Sequence, residues 1–137
     1  EQRNLFKLFY LDTGMLMSSY SKKVAQGVFD GEAEDAFGMN MGAAFEGFVA
    51  QELKAHGFRL RYFTSKKVGE LDFVEETLDG EVLAIEVKSG KKYSIESLKR
   101  FKEKYKARIG ECYVIHPRNL SFKDDIICIP PYMTICL

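Results

Sequence analysis

An α/β domain built on a central mixed sheet is the fold class this sequence predicts, and three observations lead there. Apolar residues recur at helical spacing through Met41, Ala44, Phe45, Phe48, Val49 and Leu53. Three strand-like runs follow, at 58–64, 70–76 and 81–88. A second amphipathic helix, with Ile95, Leu98, Phe101 and Tyr105 on one face, then leads into a fourth strand-like run at 111–116. Three hairpin-connected strands followed by a helical crossover imply a mixed sheet with helices packed against it.

The elements follow in order. Residues 5–11 are short, apolar and aromatic, and read as a strand. Asp12-Thr13-Gly14 offers a cap to a short helix through Met15, Leu16 and Tyr20. Residues 27–38 turn acidic and glycine-bearing, which predicts a loop. Asn40 is the cap candidate of the strongest helix, and Gly57 sits where its C-terminal stop belongs. Asp79-Gly80 marks a hairpin between the second and third runs. Ser94 is placed to cap the second helix, and Pro117 stops the fourth strand. The tail, 126–137, is apolar but broken by Pro130-Pro131. No internal repeat or low-complexity segment appears.

Composition bounds the function. The 137 residues, 46% hydrophobic and 29% charged, predict a single globular domain over 1–137. Twenty Lys plus Arg against twenty Asp plus Glu give zero net charge. That excludes a coat able to hold nucleic acid by bulk charge, so any anion site must come from local clustering. No apolar run approaches the roughly 18 residues of a membrane span and no signal peptide leads the chain, so no membrane partner is expected. Three cysteines (Cys112, Cys128, Cys136) without a CxxC pair argue against a disulfide scaffold or zinc ribbon. They are expected to be core thiols in a reducing, cytoplasmic setting. The chain opens at Glu1 and runs at once into an apolar stretch, as a domain excised from something longer would.

The hairpin register carries the chemistry. Leu71 and Phe73 share one face of their strand, and Leu83, Ile85 and Val87 share one face of the next. These bulkier faces must meet the core together, so paired residues share parity. A two-residue Asp79-Gly80 turn pairs Leu78 with Glu81 and fails. A three-residue loop, Leu78-Asp79-Gly80, pairs Thr77 with Glu81 and puts glycine at the left-handed third position. Asp72 then lies opposite Glu86, with Lys88 two residues on. Opposed Cβ atoms stand about 5 Å apart, and two carboxylates that close repel unless a positive charge sits between them. Two readings fit. In one, a divalent cation such as Mg²⁺ answers the repulsion, and Lys88 holds a water or steadies charge on a phosphate. In the other, this is a solvated sheet face on which Lys88 neutralises Glu86.

Asp72 followed by Ile85-Glu86-Val87-Lys88 resembles the D…(D/E)xK motif of PD-(D/E)XK nucleases, and Gly42-Ala43-Ala44-Phe45-Glu46 resembles the first-helix GxxxE segment of Holliday-junction resolvases in that superfamily. More narrowly, the chain is similar to the C-terminal domain of a bacterial and archaeal family of AAA-type P-loop ATPases, domain of unknown function 4143. The matching stretches are Lys7-Leu8-Phe9-Tyr10-Leu11-Asp12-Thr13-Gly14, Phe45-Glu46-Gly47-Phe48-Val49-Ala50-Gln51-Glu52-Leu53, Gly69-Glu70-Leu71-Asp72-Phe73-Val74 and Ile85-Glu86-Val87-Lys88-Ser89-Gly90. The resemblance implies a restriction-endonuclease-like fold with α-β-β-β-α-β core order. It implies that Glu46, Asp72 and Glu86 bind Mg²⁺ or Mn²⁺, that Lys88 orients the attacking water, and that DNA phosphodiester bonds are hydrolysed. It also implies a P-loop ATPase domain in the same polypeptide; the alternative is a catalytically silent regulatory, DNA-binding or docking module of that ATPase. Leu71 stands where the superfamily motif has proline.

Glu46 falls at the margin of the apolar stripe, and Glu52 nearer its centre, where a buried glutamate needs a partner. Residues 86–108 hold nine Lys or Arg and three Glu, net +6, leaving −6 for the rest. Lys91, Lys92, Lys99, Arg100, Lys102 and Lys106 are therefore the candidates for a phosphate backbone, against the plain alternative of a solvated helix face. Ser89-Gly90-Lys91-Lys92 lacks the upstream glycine of a Walker loop, so no ATP site is expected here. His56 and His116 lack metal spacing and read as structural or surface residues.

Overall fold

The computed structural model describes residues 6–30, 41–90 and 93–137. A five-stranded mixed sheet forms the centre, and an antiparallel pair stands apart from it. The helices are α1 (Thr13–Ser18), α2 (Lys22–Phe29), α3 (Met41–Ala55) and α4 (Glu96–Lys104), with a closing 3-10 helix (Pro131–Cys136). The antiparallel pair is β1 (Phe63–Ser65) with β2 (Gly69–Leu71). The main sheet holds β3 (Phe73–Glu76), β4 (Val82–Val87), β5 (Ile109–Ile115), β6 (Ser121–Lys123) and β7 (Ile126–Ile129), in the order β3-β4-β5-β7-β6. Strands β4, β5 and β7 are parallel, and antiparallel β3 and β6 form the two edges.

The hairpin register is the expected one. Phe73 pairs with Ile85, Val74 with Ala84, Glu75 with Leu83 and Glu76 with Val82. The Thr77 N–H donates to the Glu81 carbonyl at 2.8 Å, and Gly80 takes φ +78°, closing the three-residue loop. The parity argument holds for Phe73, Ile85 and Val87, which pack together beneath Val49 and Leu53 of α3, but Leu71, expected on the same face as Phe73, lies before the break at Asp72 and packs in the other cluster with Ala84 and Leu98. The opposite face is covered too. Ala84 and Val114 meet Leu98 and Phe101 of α4, so β4 is buried on both sides, as central parallel strands are.

Several elements differ from the expectation. Residues 6–10 take no ladder partner among the described residues, although their burial alternates like a strand's, with Lys7 and Phe9 inward. Helix α2 occupies part of the segment expected to be loop from Gly27 onward. The run 70–76 breaks at Asp72: residues before it pair with β1, residues after it with β4. The cap of α4 is Ile95, with Ser94 Oγ still accepting from the Glu96 N–H at 3.3 Å. Strand β6 was not expected. It turns into β7 through Asp124 and Asp125, both left-handed at φ +52° and +56°. Cys112 and Cys128 are buried, whereas Cys136 is exposed on the closing 3-10 helix rather than in the core. Asp12 does cap α1, accepting from the Gly14 and Met15 N–H groups, and Gly57 ends α3 at φ +89°. The loop expected at 31–38 and the Asn40 cap lie outside the described residues. No described helix is long and apolar enough to cross a membrane.

Candidate functional site

The break at Asp72 organises the site. Where the β3–β4 ladder stops, the Asp72 side chain replaces the backbone: its Oδ2 accepts from the Val87 N–H at 2.8 Å. Its Oδ1 is held by Lys7 Nζ at 3.1 Å. The same ammonium reaches Glu46 Oε2 of α3 at 3.2 Å and Glu70 Oε1 of β2 at 2.9 Å. One lysine thus gathers three carboxylates from three elements. Glu86, next on β4 beyond Ile85, is 4% exposed. Its Oε1 pairs with Lys88 Nζ at 2.7 Å, while its Oε2 is buried without a hydrogen-bond partner.

The electrostatics record this crowding. Burial first, then the charge of Asp72, push Glu46 above the ordinary carboxylate value against the pull of Lys7. Burial also raises Glu86. Lys88 and the Leu98 N–H near the start of α4 oppose the rise, and Asp72 adds to it. Burial alone would lower Lys7, but Glu70, Asp72 and Glu46 outweigh it and hold its ammonium above the usual lysine value.

The donor chemistry suits a hard divalent cation: three carboxylates, one with an orphaned buried oxygen. In the geometry described, the positive charge between Glu46 and Asp72 is the Lys7 ammonium, and no three acidic, imidazole or thiol groups among the described residues stand as a ligand set. Of the residues expected from sequence, Glu46, Asp72, Glu86 and Lys88 therefore lie in one charged cluster. Glu52 is half-buried on α3, outside the contacts of Lys7. Lys7 and Glu70 were missed. The available signal was that Lys7 is the only charge in the run 5–11 and shares parity with inward-facing Phe9.

The basic helix packs as expected, through Ile95, Leu98, Phe101 and Tyr105. Its lysine row is less free than its charge count suggests. Lys99 pairs with Asp124 at 2.7 Å, and Lys102 pairs with Asp125 at 3.5 Å and donates to both carbonyls of that turn. Arg100 and Lys106 are exposed, and Lys91 and Lys92 lie outside the described residues. His56 is exposed; His116 is buried, 5.4 Å from the Tyr93 ring, with both ring nitrogens lacking a partner.

Neither the curated proteins nor the solved structures contain a match to this chain. A family match, by contrast, covers residues 41–134, which takes in α3, the whole hairpin with Asp72, Glu86 and Lys88, α4 and the parallel strands. With that much of its length and its carboxylate-bearing core inside the match, the chain belongs to the family described as Domain of unknown function (DUF4143).

Proposed function

We propose that this chain is a metal-dependent nuclease-like domain of the PD-(D/E)XK type, acting on DNA phosphodiester bonds. The observation that carries the reading is the convergence of Glu46 and Asp72 on one positive charge, at 3.2 and 3.1 Å, with Glu86 and Lys88 adjoining on β4. Glu46, Asp72 and Glu86 would hold Mg²⁺ or Mn²⁺, which when bound supplies Lewis-acid charge to a phosphate and lowers the pKa of water. The chain's own part is positional. Asp72 is fixed by the Val87 N–H, and Glu86 aims the Lys88 ammonium, which is suited to hold a water or a phosphate oxygen. Arg100 and Lys106, with Lys91 and Lys92, would meet the nucleic-acid backbone. A restriction-endonuclease-like fold and a P-loop ATPase domain in the same polypeptide belong to the same proposal.

The test is the thermal midpoint of wild type and Asp72→Asn across a Mn²⁺ series at fixed ionic strength, with a DNA panel assayed for cleavage beside it. The proposal expects wild type to gain stability by mass action and Asp72→Asn to lose most of that gain. Identical curves would refute the metal site and the mechanism with it. A second reading, a catalytically silent regulatory or docking module, is favoured by the three ion pairs of Lys7, which already place a cation among these carboxylates. It expects no metal response and no cleavage.

A further inference from the structure

We propose that the segment 6–12 is a displaceable strap whose lysine occupies the cation position of the carboxylate cluster, so that strap attachment and divalent-ion binding exclude one another. The inference rests on the metal-site reading and assigns its regulation.

Two inward groups seat the strap on the core. Lys7 Nζ makes its three ion pairs at 2.9 to 3.2 Å, and the Phe9 ring lies 5.8 Å from that of Phe73. Between them the strap has no ladder partner among the described residues, so backbone hydrogen bonding to the sheet does not fix it. Beyond it, Asp12 starts α1, and the Thr13 N–H donates to Gln51 Oε1 of α3 at 3.2 Å, which anchors the far end. The outward side chains Phe6 and Leu8 are 80% and 86% exposed and hold nothing down. A cavity of about 340 Å³ adjoins Lys7 and Asp72, walled in part by Tyr62 and Phe73. The attachment is therefore one ammonium and one ring, and the ammonium stands where Glu46 and Asp72 would offer oxygens to a metal ion.

A divalent ion and the ammonium compete for the same oxygens. If the strap is seated nine times in ten, apparent metal affinity falls about tenfold relative to a chain that lacks the competitor. Reciprocity requires that the ion loosen the strap by the same factor. The cluster then has two closed states, one holding the chain's own ammonium and one holding the ion. Anything that pulls on the strap selects the second.

The experiment is Mn²⁺ binding by calorimetry to the full chain, wild type against Lys7→Met, with limited trypsin cleavage after Lys7 followed by mass spectrometry in wild type with and without Mn²⁺. The cleavage arm needs no variant, so it stands even where Lys7→Met folds poorly, and it reads the side chain that seats the strap. The expected result is about tenfold tighter Mn²⁺ binding by Lys7→Met, and faster cleavage after Lys7 in wild type on adding Mn²⁺. Equal Mn²⁺ affinity in both proteins with unchanged cleavage would overturn the competition and leave the metal site standing. No Mn²⁺ binding by either protein would overturn the metal-site reading, and this inference would fall with it.

Discussion

Asp72 serves the fold as well as the charge cluster, and a pair of substitutions separates the two. In Asp72→Ala the Val87 N–H, on a strand residue that is 7% exposed, loses its acceptor at 2.8 Å. A buried donor left unmade costs about 1–3 kcal/mol. In Asp72→Asn the side-chain carbonyl still accepts that bond, while one of several crowded carboxylates is removed. Lys7 loses one partner of three in either variant, and an ion pair of this partly exposed kind is worth about 1 kcal/mol or less. The difference between the two variants therefore isolates the hydrogen bond. Alanine should be less stable than asparagine by about 1–3 kcal/mol, or about 4–12 °C in thermal midpoint for a domain of this size. The assay is urea and thermal unfolding of both variants in chelator, which takes metal out of the comparison. Equal stability of the two would refute the idea that Asp72 terminates the ladder by accepting from Val87.

Two further outcomes are expected. Burial, and secondarily the charge of Arg118, hold His116 below the ordinary imidazole value, so the unfolded chain takes up that proton first. The stability this contributes is complete above about pH 6.5 and declines as pH falls below it toward the lower folded value; Glu46 and Glu86, held above the usual carboxylate range, act in the opposite sense and cancel when wild type is compared with His116→Gln. Urea unfolding from pH 7.5 to 5.5 should show a steeper acid-side loss in wild type, and parallel profiles would refute the assignment. On the basic helix, reversing Arg100 and Lys106 to glutamate should weaken DNA binding and flatten its salt dependence more than reversing Lys99 and Lys102, which are already engaged by the Asp124-Asp125 turn. Equal effects in a salt-series binding assay would count against that ordering, and unchanged binding in both would remove DNA from the proposal.

What was legible in the sequence was local periodicity. The pairing of Phe73 with Ile85 followed from parity, because burying bulky residues on one face admits no one-residue slip. The split of 70–76 was not legible. Glu70 and Leu71 have the same strand-like neighbours as Phe73 and Val74, and only the distant partner, Phe63–Ser65 or Val82–Val87, tells them apart. Strand β6 escaped because Ser121-Phe122-Lys123 is three residues long and its turn, Asp124-Asp125, carries no glycine despite two left-handed residues. Four members of the site were readable as a motif. Lys7 was marked only as the lone charge of its run, on the parity of Phe9; its partners Glu46 and Asp72 lie 39 and 65 residues away, and pairing at that range leaves no mark on composition. A charge count along the basic stretch is incomplete for a related reason: it sees Lys99 and Lys102 but not the aspartates folded onto them.

The bond from the Val87 amide to Asp72 bears on how this position can change over generations. A chain that had lost all use for a metal would still be selected to keep a short acceptor at 72, because alanine, valine or lysine there strands a buried amide. Asparagine is the natural drift product, chemically mute and structurally adequate. Glu46 accepts from no backbone amide among the described contacts: its side chain meets the Lys7 ammonium, which Glu70 and Asp72 also serve, and the Asp72 carboxyl. Persistence of aspartate at 72 thus speaks for the hairpin as much as for chemistry. Position 46, free to drift once the chemistry goes, is where selection for that chemistry would leave its trace.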